Sequence, residues 1–192
     1  MAVDRLSRGA ADLPRKRQEL NRDEKVEEIL AAAERRLRDG GYEALSMAGV
    51  ARDLGIAQNA VYWYFPSKDH LFVAALRRML ESIVAAKPPA ATGLTNQVLW
   101  FVDELQSLHE LRAALAERAR VSPLAADFAA ELSRGLRGML SNALTGRISE
   151  SELPLAVDTF VATVEGCVLQ HLDTPERHRL LGYALGRILS AR

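Results

Sequence analysis

The stretch SMAGVARDLGIAQNAVYWYFPSK, residues 46–68, decides the fold. Ser46 can start a helix, because its hydroxyl oxygen accepts from an otherwise unpaired amide one turn on, and Leu45 and Val50 stand at the two positions of a hydrophobic staple. This short helix is predicted to run through Leu54, where Gly55 stops it. A second short helix is predicted from about Gln58 to Phe65, ended by Pro66, with Ser67 capping the next. Two short helices joined by a tight turn at Gly55-Ile56-Ala57 describe a helix-turn-helix. Ala51, Leu54, Ile56 and Val61 supply the small and aliphatic contacts for a steep crossing, which leaves the outer face of the second helix free.

That free face carries Gln58, Asn59, Tyr62 and Trp63. A helix docked in the major groove needs side chains that donate and accept at base edges, and Gln and Asn can pair bidentately with adenine. Ser46 would turn a hydroxyl and a helix N-terminus towards a phosphate, while Tyr64 and Lys68 offer further backbone contacts that position without specifying.

Gly55, Ile56, then Val61-Tyr62-x-Tyr64-Phe65-Pro66-x-Lys68 and Leu71 resemble the signature that closes the helix-turn-helix of the tetracycline-repressor (TetR) family. The resemblance covers roughly residues 23–86, and beyond them extends only to helix number and length. It departs from the family at Ala57, where a hydroxyl residue is usual, and at the bulky Trp63. It implies that Tyr62, Tyr64 and Lys68 face phosphates, that Gln58, Asn59 and Trp63 face bases, and that Phe65 anchors the core. It also implies a transcriptional regulator, a repressor that leaves a palindromic operator when a small apolar effector enters its second domain. The alternative is an architectural DNA-binding protein or protein-interaction adaptor with no small ligand, which a tightly filled second domain would favour.

Around this core the chain reads as all-α, with about nine helices: apolar residues recur every three or four positions and alternating β-branched runs are missing. Asn21 and Glu24 form a capping-box-like start for a lead-in helix with Val26, Ile29, Leu30, Ala33 and Leu37 on one stripe, ended by Gly40-Gly41. A fourth helix follows Ser67 until Lys87-Pro88-Pro89. Five more are expected over 94–107, 109–120, 123–145, 153–172 and 175–191, with Ser122-Pro123 and Thr174-Pro175 as N-cap and first-position pairs. The expected domains are a flexible basic arm at 1–22, a helix-turn-helix domain at 23–67, a connecting helix at 68–87, and an effector-binding and dimerisation domain at 88–192.

Composition is globular, 48% hydrophobic and 26% charged, with zero net charge. The basic excess sits in residues 1–22, six basic against three acidic side chains, which fits either a minor-groove arm or a solubilising tail. The lone Cys167 excludes an internal disulfide and suits a reducing compartment, so a cytoplasmic protein is expected. No apolar run is long enough to span a membrane, and no phosphate loop, nucleophile and base pairing or metal-ligand spacing argues for an enzyme, a cofactor or a metal.

In the second domain Trp100, Phe101, Leu105, Phe128, Met139, Phe160 and Cys167 either line an apolar effector pocket or form plain core, with Gln170, His171 or His109 as its polar contacts. The last two helices are the expected homodimer interface, through Val157, Val161, Val164 and Val168 on one and Leu181, Gly182, Leu185 and Gly186 on the other. Two helices from each subunit would make a four-helix bundle and present two recognition helices to a double-stranded palindromic operator.

Overall fold

A computed structural model describes the backbone of residues 12–190, with side chains from residue 22 onward. Among the described residues there are nine α-helices and no strand: α1 Asp12–Ala44, α2 Met47–Leu54, α3 Gln58–Tyr64, α4 Lys68–Ala85, α5 Leu94–Ser107, α6 His109–Arg118, α7 Pro123–Leu144, α8 Leu153–Leu169 and α9 Thr174–Ser190. A single 3-10 turn, Ala90–Thr92, follows the prolines at 88 and 89. The all-α architecture is the one the periodicity predicts.

Helices α6 and α8 end two and three residues short of the expected 120 and 172, and three other boundaries differ in kind. Helix α1 is already helical at Asp12, so Asn21 is not its cap, and the part of the expected basic arm at residues 1–11 lies outside the described residues. Pro14 falls in the first turn, where its missing donor is harmless, and no breaker stands between it and Gly40. The backbone then leaves helical geometry at Gly40 and at Gly41, whose φ of 63° is left-handed, so the expected stop is a kink followed by one more turn to Ala44. At α9 the cap is Asp173, whose Oδ1 accepts from the Glu176 amide at 2.9 Å, and not Thr174. The Thr174 hydroxyl instead accepts from Arg177 at 3.0 Å.

The chain divides into two compact units, residues 1–77 and 78–192. In the first, Ile29, Leu37, Leu45, Val50, Val61, Phe65, Phe72 and Leu76 are all buried, drawn from α1 to α4 and the segments between them. In the second, α6 packs on α7, α7 on α8, α8 on α9 and α9 on α5. Its core joins Val102, Leu144, Val157, Phe160, Cys167, Leu181 and Leu185.

Candidate nucleic-acid interface

Three local devices set the helix-turn-helix. The first is the Ser46 cap: its Oγ accepts from the Gly49 amide at 3.0 Å, so the hydroxyl proton stays available to a phosphate oxygen. Leu45 and Val50, the staple pair, are fully buried beside it. The second is Gly55, at φ 64° and ψ 30°. Its amide donates to the Arg52 carbonyl at 3.2 Å and the Ile56 amide to the Ala51 carbonyl at 3.0 Å, which is the paired closure of a Schellman motif. The third is a brace between helices, invisible in the local pattern. Arg36 of α1 forks onto Asp53 of α2, Nε to Oδ2 at 2.7 Å and Nη2 to Oδ1 at 2.8 Å. The hydrogen bond with Asp53 raises the Arg36 pKa, and the same bond holds the Asp53 carboxyl below its ordinary value.

Helix α3 is anchored by fully buried Val61, and by Phe65 at its end, so its other face is left outward. Gln58 and Asn59 are exposed, Tyr62 is 44% exposed and Trp63 78% exposed. Tyr64 is half-buried. Ala57 sits at the N-cap and makes no side-chain cap bond, as the departure from the family pattern implies. A large indole facing solvent at Trp63 is unfavourable for a free protein and suits a surface that is covered when a partner docks.

Lys68 opens α4, where the Ser67 hydroxyl accepts from the His70 amide at 3.3 Å. Its ammonium lies 3.9 Å from the centroid of the Tyr42 ring, and the Tyr42 hydroxyl donates to Asp69 at 2.7 Å. The Tyr42 ring in turn meets Phe72 edge-on at 4.9 Å. Lys68 is thus held in place by an aromatic face, and its ammonium has no anionic partner among the described residues. Sequence reasoning missed Tyr42 as its support because the two residues lie 26 positions apart.

The second unit contains a cavity of about 460 Å³. Of the expected pocket residues, Trp100, Phe101, Leu105, Met139 and Phe160 line it. Phe128 is buried elsewhere, Cys167 belongs to the core with Leu181 and Leu185, where burial raises its pKa, and Gln170 is an exposed helix cap. His109 and His171 are exposed and do not line it. The polar lining comes from Lys87, Gln97, Gln106, Arg112, Ser133, Arg137 and Glu165, none of them anticipated. Arg112 gave a signal that could have been read: it stands one helical turn from Leu108, Leu115 and Ala116, on the apolar side of α6.

Three residues of the expected dimer stripe are not at the surface. Val157, Leu181 and Leu185 are buried in their own unit, Val161 and Val164 pack against that core and line the cavity, and Val168 and Gly182 are half-buried. Helix α8 carries exposed apolar residues on its outer side as well, at Leu155, Ala162 and Leu169 among Asp158, Thr159 and Glu165, while its buried side packs between α7 and α9. The outward apolar residues include Leu155 and Leu169 on α8 and Leu180 and Tyr183 on α9, where Gly186 is also exposed.

Residues 29–75, from the buried part of α1 into α4, match the family profile described as bacterial regulatory proteins, tetR family. These residues are a helix-turn-helix domain of the TetR family. This is a family of regulators and not of enzymes. The chain is 38% identical over 93 residues to the transcriptional repressor KstR of Rhodococcus jostii, an alignment covering 47% of this chain and 42% of that one. The chain thus spans less than half the length of this relative. A transcriptional regulator from Rhodococcus sp. Rha1 superposes with a TM-score of 0.66 at 25% identity, over 85% of this chain and 95% of that one. A regulator from Saccharomonospora viridis in complex with choline shares the fold, with a TM-score of 0.66 at 16% identity over 83% and 94% of the two chains.

Proposed function

We propose that this chain is a sequence-specific repressor of the TetR family, a cytoplasmic homodimer that binds a palindromic operator and leaves it when a small effector enters the second unit. The observation that carries the reading is the outward face of α3. There Gln58 and Asn59 stand exposed beside Tyr62 and Trp63, on a helix whose inner side is fixed by Val61 and Phe65. Gln58, Asn59 and Trp63 are assigned to base edges, and Ser46, Tyr62, Tyr64 and Lys68 to phosphates.

The cavity supports effector control over a ligand-free architectural role, since its volume lies within the roughly 300–1,000 Å³ of small-molecule sites. The choline complex of the Saccharomonospora viridis regulator is a precedent for a ligand on this fold. Release would be a population shift, the effector binding a DNA-incompetent state better than the competent one. Pairing of two copies is assigned to the outward faces of α8 and α9, where Leu155, Leu169, Leu180 and Tyr183 leave apolar surface in water and Gly186 permits close approach.

The test is selection of bound fragments from a genomic library by the purified protein, followed by sequencing. A palindromic consensus is expected. Sequence-blind binding that fades uniformly with salt would overturn specific recognition and make Gln58 and Asn59 ordinary surface residues.

A further inference from the structure

The charged groups of the second-unit cavity are not balanced. Four charged side chains line it: Lys87, Arg112, Arg137 and Glu165. Arg137 is paired with Asp158. Lys87 and Glu165 are exposed and keep their water. Arg112 differs from all three. It is half-buried in α6, between Leu111 and Leu115, and its guanidinium has no hydrogen bond or ion pair among the described residues. Burial lowers its pKa, with only the longer-range field of Glu165 opposing.

A guanidinium that has lost part of its hydration and gained no anion is a cost to the folded chain. A ligand that presents two coplanar oxygens would offset this cost, because the planar fork of arginine matches a carboxylate bidentately. The rest of the wall, with Trp100, Phe101, Leu136, Leu140, Phe160 and Val164, offers no further anion or cation partner and suits hydrocarbon. A neutral apolar ligand would bury Arg112 further without pairing it. A cationic ligand would add a second positive charge to it, with the exposed Glu165 as the single acid on the wall.

We propose that the effector is an amphipathic carboxylate whose hydrocarbon body fills the apolar wall around Trp100, Phe101 and Phe160 while its anionic head pairs with Arg112. This rests on the reading of the cavity as the effector site, and narrows the expected small apolar effector to an anion with an apolar body.

The test uses the full chain and three ten-carbon probes of one shape and different charge: decanoate, decan-1-ol and decyltrimethylammonium, titrated calorimetrically at pH 7.5 below their micelle concentrations. Decanoate is expected to bind at least tenfold more tightly than decanol, and the ammonium most weakly. In Arg112→Met the decanoate advantage is expected to fall to within threefold while decanol binding persists, which also shows that the variant is folded. Arg112→Lys, which keeps the charge but not the fork, should retain part of the advantage. Decanol binding as tightly as decanoate, or a decanoate advantage that survives Arg112→Met, overturns the carboxylate assignment and leaves the cavity as an effector site. Absence of binding by all three probes overturns both.

Discussion

Gly49 offers the sharpest test of how the helix-turn-helix is held. It is the third residue of α2, buried, and a Cβ placed on it would stand 2.6 Å from both Cζ and Nη1 of Arg36 and 2.7 Å from the Ser46 hydroxyl oxygen. In an exposed helix Gly→Ala stabilises by about 0.5–1 kcal/mol. Here the added methyl must displace the Arg36 guanidinium, which is pinned by its two bonds to Asp53 and a third to the Ala44 carbonyl at 3.4 Å, and must crowd the cap. Overpacking of this kind costs about 1–3 kcal/mol. Taking the middle of each range, Gly49→Ala should lose about 1 kcal/mol net, the reverse of its propensity effect.

The assay is urea unfolding of wild type, Gly49→Ala, Arg36→Ala and the double variant at one protein concentration, completing a double-mutant cycle. Without the guanidinium the two shortest contacts are gone and the 2.7 Å approach to the Ser46 oxygen remains, so in the Arg36→Ala background the same substitution should cost less than in wild type, a coupling of about 1 kcal/mol. A Gly49→Ala effect equal in the two backgrounds would refute the packing argument. Operator affinity should follow the stability pattern, because the displaced cap is the group assigned to a phosphate.

Three other outcomes are expected. Lys68→Ala should weaken binding to every duplex and flatten its salt dependence, whereas Gln58→Ala and Asn59→Ala should relax sequence preference by about 1–3 kcal/mol per lost base contact, as read by titrations of cognate and scrambled duplexes at several salt concentrations; equal, sequence-blind losses from all three would sink these roles. Asp103→Ala, which leaves the buried Arg177 uncompensated, should destabilise the second unit by about 3 kcal/mol in denaturant melts, the low end for a broken buried pair because Asp103 is partly exposed. The Arg36 brace should fail in acid: the Asp53 carboxyl is held below its unfolded value, so its contribution is complete above about pH 4 and is lost as pH falls through the folded pKa, and Asp53→Asn should remove that step from an acid-unfolding profile.

The helix-turn-helix was legible because each of its boundaries is a local chemical event. Ser46 before an apolar run, Gly55 where the backbone turns left-handed and Pro66-Ser67 before α4 can each be recognised within four residues. What lay between elements was not legible. Arg36 and Asp53 are 17 positions apart, and nothing in either neighbourhood announces the other. In the second unit the helices were found with ends within three residues, yet at α8 Val157, Val161 and Val164 lie on the inner side of a helix whose outer side also carries Leu155, Ala162 and Leu169. Periodicity locates a stripe when the opposite face is polar. It discriminates poorly when apolar residues also stand on the opposite face and the choice depends on which neighbours arrive. The same limit explains Phe128 and Cys167, which are apolar as expected but turned into the core and not the cavity.

Two arginines in the second unit show how burial separates structure from function. Arg177 is 7% exposed and is met by its own chain: Nη2 donates to Asp103 at 2.6 Å and to Thr174 at 3.0 Å, Nη1 to the Leu172 carbonyl at 3.3 Å, and only Nε lacks an acceptor. Asp103 also pairs with His178 at 2.6 Å, which ties α5 to α9 through one carboxylate. Those bonds account for the presence of that charge without any ligand. Arg112 has no comparable set of bonds, although it too is drawn out of water, and it faces the cavity and not a packed seam. A fold indifferent to that charge would be more stable with methionine in its place, since an apolar side chain of similar length would pack there without a desolvation cost. The Arg112→Met variant should therefore be at least as stable as wild type without ligand and less responsive to the carboxylate, and that opposition between stability and binding is what marks a residue kept for its ligand.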